Sequence, residues 1–162
     1  MPSLTCQQLR QKALVAIDEW TKAFIAASEN SIQASNYLAT LKSGVNPNSI
    51  AAFESYASGC INPIRVQSDG ILRTNIKAST KEATAHFNTK FYPTRKEQIL
   101  KLICGANSSC RSSKTNVAKN YMLYVFLNWF YITKYQILRA KAQVYINDHN
   151  QNPCSPPLKI GI

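Results

Sequence analysis

Five cysteines, two histidines and a run of cationic side chains are the residues of this 162-residue sequence whose types and spacing could do chemistry. Cys6, Cys60, Cys104, Cys110 and Cys154 show no Cys-x-x-Cys or Cys-x-x-His spacing, and neither His86 nor His149 stands beside a cysteine pair, so no metal centre and no cofactor are expected. Cys104 and Cys110 flank the short segment Gly105-Ala106-Asn107-Ser108-Ser109. A disulfide across a turn of that length is geometrically easy and favours an oxidising compartment. Cys6–Cys154 is one further pairing compatible with long helices that return to their starting end, with Cys60 left over; sequence alone leaves this connectivity open. Asn107-Ser108-Ser109 is also an N-glycosylation acceptor triplet.

Catalytic constellations are absent from the pattern. His86 stands at helical spacing from Glu82 and Lys90, an ordinary surface arrangement, and no Ser or Cys nucleophile is recognisable beside it. Asp18 and Glu19 are adjacent and diverge on a helix, so they form no general acid–base pair. The glycines make neither a phosphate-binding loop nor a dinucleotide fingerprint. The expectation is a protein that is not an enzyme.

Charge carries more information. Nineteen Lys and Arg against eight Asp and Glu give a net charge of +11, and no acid occurs between Glu97 and Asp148. Arg73, Lys77 and Lys81 stand four residues apart and line one edge of a predicted helix. Arg95, Lys96 and Lys101, then Lys134, Arg139 and Lys141, can extend the field. Arg73, Lys77, Lys81, Arg95 and Lys96 are the candidate anion-binding residues, set against the alternative of an ordinary solvated face. Eligible partners are acidic glycans, lipid headgroups, acidic proteins and nucleic acid.

The segment 121–135, YMLYVFLNWFYITKY, is apolar on nearly all sides. Tyr121 to Ile132 would span about 18 Å as a helix, against a hydrocarbon core of about 30 Å, so no transmembrane segment is expected. The stretch instead predicts a central helix with Phe126, Trp129 and Phe130 buried. Tyr121, Tyr124, Asn128, Tyr131 and Tyr135 recur at spacings of three and four as a seam with polar tips. This seam is either the rim of the core, with Asn128 paired inside, or an interface for self-assembly into a homo-oligomer or for partner recognition.

The elements that must position these residues are helices. Between Ser3 and Ser43 there is neither Gly nor Pro, and Ala13, Ile17, Trp20, Phe24, Ala27, Ser31, Ala34, Leu38 and Leu41 mark a stripe on one long helix over 4–43, started by Ser3 or Thr5 and ended by Gly44, with a break near Ser28–Ser31 as the alternative. A short helix follows, capped by Asn48 and stopped at Gly59, and Pro63 then favours an extended segment. Ser68 or Asp69 can start a helix that runs to about Phe91, is interrupted by Pro93 and resumes from Thr94 to Cys104. The last helix is predicted from Ser112 or Ser113 to about Asn147.

Together these predict an all-α fold, an elongated up-and-down bundle of three long helices plus one short helix, as one domain over 1–162 with a Pro-containing tail at 148–162. The first apolar run, 13–17, is followed at once by Asp18 and Glu19, so no secretory leader is visible. The functional expectation is a secreted, non-enzymatic binding protein with a cationic surface for an anionic extracellular partner or membrane surface. The alternatives are an intracellular or virion protein of capsid or filament type that self-assembles and coats nucleic acid, and a membrane-disrupting protein.

Overall fold

The computed structural model describes residues 4–61 and 79–160, and every regular element among them is helical. The helices are α1 (Cys6–Leu41), α2 (Pro47–Cys60), α3 (Thr80–His86), α4 (Lys96–Cys104) and α5 (Ser108–Gln151), with a π-helical turn over Phe87–Phe91 after α3. No strand occurs among the described residues. The chain divides into two compact units: residues 1–26 with 131–162, and residues 27–130.

Local chemistry sets most helix ends. Thr5 and Gln8 form a reciprocal cap on α1: the Gln8 amide donates to Thr5 Oγ1 at 3.1 Å and the Thr5 amide donates to Gln8 Oε1 at 2.9 Å. After Leu41 the chain turns through Gly44, whose φ of 72° lies in the region that favours glycine. The cap of α2 is Asn46, not Asn48: Asn46 Oδ1 accepts from the Asn48 amide at 2.8 Å, and Pro47 occupies a first-turn position where a missing N–H costs nothing. The helix also passes through Gly59 and stops at Cys60.

The predicted helix start at Ser68 or Asp69 lies outside the described residues, but no helix runs unbroken to Phe91. Ser79 is extended (φ −83°, ψ 166°) and its hydroxyl caps α3 by accepting from the Glu82 amide at 3.1 Å. The interruption at Pro93 is present. The π-helical turn precedes it, with the Tyr92 amide donating to the Phe87 carbonyl at 2.8 Å, and α4 resumes at Lys96 rather than Thr94. At its far end Gly105 takes φ 59°.

The last helix is longer than predicted at both ends. Asn107 Oδ1 accepts from the Cys110 amide at 2.8 Å and starts α5 at Ser108, so Cys110 sits in the first helical turn instead of a loop. At the other end the helix continues through Asp148 to Gln151, and Pro153 follows. Residues beyond it are fastened back. Asn150 Nδ2 donates to the Leu158 carbonyl at 2.8 Å, the Leu158 amide donates to Asn150 Oδ1 at 3.0 Å, and Arg10 donates to the Pro156 carbonyl at 2.9 Å.

In the unit of 27–130, α2 packs on α4 and the core is aromatic. Phe53, Phe87, Phe91, Phe126 and Phe130 are fully buried, and ring centroids of Phe87, Phe91 and Phe126 lie 5.4–5.6 Å apart. Trp129, expected in this core, is only half-buried. A helix that is apolar all round gives no periodic cue to its inward face, and the phenylalanines one turn apart, Phe126 and Phe130, take it.

In the unit of 1–26 with 131–162, α1 and α5 run antiparallel, with Cys6 bonded to Cys154 at a Cα separation of 5.5 Å. Their seam is lined on α1 by small residues, Ala13, Ala16 and Ala23, beside Trp20. Phe24, expected in the stripe, is 37% exposed. Alanine at the inward positions lets the helices approach closely, which leaves the Phe24 ring on the shoulder, edge-on to Tyr135 at 5.7 Å.

Candidate anion-binding surfaces

Two depressions occur in the unit of 1–26 with 131–162. The first, about 490 Å³, is lined by Leu4, Lys12, Val15, Ala16, Lys141 and Tyr145 among others. Both ammonium groups lie over the Tyr145 ring, Lys12 Nζ at 5.4 Å and Lys141 Nζ at 5.9 Å from its centroid. An aromatic face attracts a cation without neutralising it, so this arrangement holds positive charge in place while leaving it available to an anion. Glu19 compensates part of it: its carboxylate is 4.0 Å from Lys141 Nζ, with both side chains about half exposed. The second depression, about 500 Å³, is formed by Trp20, Phe24, Tyr135 and Arg139, with the Arg139 guanidinium 5.9 Å from the Trp20 ring. Lys134 lies similarly over Tyr131, at 5.7 Å.

The described cations of the unit 27–130 differ in what they are committed to. Some are committed to structure. Arg95 stacks on Phe91 at 3.9 Å and donates to the Phe91 carbonyl at 2.9 Å and to Thr94 Oγ1 at 3.2 Å. Arg111 pairs with Glu97 at 2.8 Å and donates to the Gly105 carbonyl at 2.7 Å, and Lys114 donates to the Ser43 carbonyl at 2.6 Å. Others, Lys81, Lys90, Lys96 and Lys101, are exposed. Arg73 and Lys77, the first two members of the predicted cationic edge, lie outside the described residues.

The tyrosine seam is half-buried along its whole length. Tyr121 packs on Phe53 at 5.4 Å, Tyr124 stacks on Tyr37 at 5.5 Å, and Asn128 Nδ2 donates to the Ala27 carbonyl at 2.7 Å. Burial, followed by the negative charge of Glu54, raises the Tyr121 pKa above the usual tyrosine value. In the other unit Tyr135 meets Phe24. These side chains each have an intramolecular use, with an edge left open to solvent.

Cys104 and Cys110 are bonded, as are Cys6 and Cys154, and Cys60 is a half-buried free thiol. Tyr56 is raised in pKa by burial first and then by a hydrogen bond with Cys60. No group of His, Cys, Asp and Glu suited to a metal ion occurs among the described residues, and no helix among them is long and apolar enough to cross a membrane.

Sequence reasoning missed Lys12 and Tyr145. Lys141 and Tyr145 are four apart on one helix and could have been paired from spacing. Lys12 joins them only through the packing of two helices remote in sequence. Comparison with known proteins gives no match to a family model, a curated protein or a solved structure.

Proposed function

We propose that this chain is a secreted, non-enzymatic binding protein, built as an elongated up-and-down helical bundle, whose cationic surface engages an anionic macromolecule or surface. The observation that supports it is charge that its own acids do not match: +11 overall, with Lys81, Lys90, Lys96 and Lys101 exposed and Lys12 and Lys141 held over Tyr145. The two disulfides favour an oxidising compartment over a reducing one.

Retention on immobilised heparin, titrated with salt, tests the reading. Counterion release makes affinity for a polyanion fall steeply as salt rises. Replacing Lys81, Lys96 and Lys101 by Gln is expected to lower the eluting salt and flatten the salt slope, and Lys12→Gln with Lys141→Gln measures the contribution of the groove separately. Retention and slope unchanged in both variants would show that these side chains are merely solvated. Nucleic acid binding much tighter than heparin at equal salt, in protein with reduced thiols, would favour the nucleic-acid-coating alternative.

A further inference from the structure

We propose that Asn107 is a site of N-linked glycosylation in the folded protein, placed at the start of α5. This rests on the secretory reading above, since the modifying enzyme works in the compartment where disulfides form. Asn107-Ser108-Ser109 is the one acceptor triplet in the chain that has a residue other than proline in its middle. A triplet alone is common by chance; its surroundings carry the argument.

All three residues are exposed. Asn107 contributes to the turn through its side-chain oxygen and its backbone: Oδ1 accepts from the Cys110 amide at 2.8 Å, the Asn107 amide donates to the Cys104 carbonyl at 3.1 Å, and its carbonyl accepts from the Arg111 amide at 3.0 Å. None of these bonds uses Nδ2. A glycosidic link replaces one Nδ2 hydrogen and leaves Oδ1 an acceptor, so helix cap and glycan coexist on one side chain.

The reaction needs a polyprenyl-pyrophosphate-linked oligosaccharide as donor. Nδ2 forms the bond to the first sugar's C1, the bond from C1 to the pyrophosphate oxygen breaks with its electron pair leaving on the pyrophosphate, and the amide proton passes to a base of the transferase. The bridge three residues on adds a kinetic signature. Closure of Cys104–Cys110 constrains the segment that the transferase must bind, so bridge formation and glycan transfer compete.

The test is the full chain, secreted behind a cleavable leader from cultured animal cells, with intact mass and peptide mapping before and after treatment with peptide N-glycosidase. Wild type is expected to carry one glycan, mapped to Asn107 by its conversion to aspartate on release. Ser109→Ala is expected to lose it without disturbing the turn, because no hydrogen bond of the turn uses the Ser109 hydroxyl. Ser109→Thr and the double variant Cys104→Ser, Cys110→Ser are expected to raise occupancy. Secreted wild type with Cys104–Cys110 closed and no sugar at Asn107, or a glycan seen only in the bridge-free variant, overturns the proposal while leaving the secretory reading intact. Retention inside the cell, or secretion with both thiols free, overturns the secretory reading and the proposal with it.

Discussion

The Tyr92 side chain is 6% exposed, and its hydroxyl has no hydrogen-bond partner among the described residues. An unsatisfied buried hydroxyl costs about 1–3 kcal/mol, so Tyr92→Phe is expected to stabilise the protein by about 1 kcal/mol at neutral pH, read as a higher urea midpoint. Burial also raises the Tyr92 pKa. A folded-state pKa above the unfolded one contributes stability that is complete below about pH 10 and is lost as pH rises through the folded value. The wild type should therefore lose stability above about pH 10, and Tyr92→Phe should lose less. A variant weaker than wild type at pH 7 would mean that the hydroxyl is bonded in solution. Phe126 and Trp129 give a second contrast within one turn of α5. Phe126 is fully buried, and Phe126→Ala should cost about 3–5 kcal/mol. Trp129 leaves part of its ring in solvent, and Trp129→Ala should cost less, about 2–3 kcal/mol. Equal losses in urea titrations would place Trp129 in the core after all.

Among the elements, α1 and α5 depend on their ends and on the bridges fastened there. Asn107→Ala removes the cap of α5 and should cost about 1 kcal/mol, measured as a fall in Tm. The two disulfides should differ more sharply. Loop-closure entropy assigns about 2 kcal/mol to a bridge between residues 6 apart, as in Cys104–Cys110, and about 5 kcal/mol to one spanning 148, as in Cys6–Cys154. Replacing Cys6 and Cys154 by Ser should therefore lower Tm more than replacing Cys104 and Cys110. The reverse order would show that the short bridge relieves a local conflict, or that the reduced chain keeps its ends together.

At the scale of the whole molecule, a net charge of +11 repels itself in the compact state. Screening lengths of about 10 Å at 0.1 M salt reduce that repulsion, so Tm should rise modestly between about 10 and 300 mM NaCl. A bound polyanion stabilises by a different route, preferential binding to the folded state, and that gain should disappear over the same salt range. Heparin that raises Tm at low salt and not at high salt is the expected result. Heparin without effect at low salt would leave the excess charge as a solubility feature.

The sequence by itself determined the helical class and much of the local geometry, because those signals act between near neighbours. The absence of Gly and Pro from Ser3 to Ser43 pointed to the long helix that forms, Thr5 was one of two candidate caps and is the one used, and the five residues between Cys104 and Cys110 kept those sulfurs close. Competing caps were not separable in the same way. Asn46 and Asn48 flank Pro47 symmetrically, and α5 starts at Ser108 because the Asn107 side chain reaches the Cys110 amide. Tertiary structure alone decided which faces turn inward and which distant residues meet. Cys154 joins Cys6, Lys12 joins Lys141 over Tyr145, and Asn128 finds the Ala27 carbonyl. Helical periodicity fixes the neighbours of a residue along its own helix, but a rotation of about 100° about the helix axis exchanges Ala23 for Phe24 or Phe130 for Trp129 at the core. That rotation is set by how closely the facing side chains can pack.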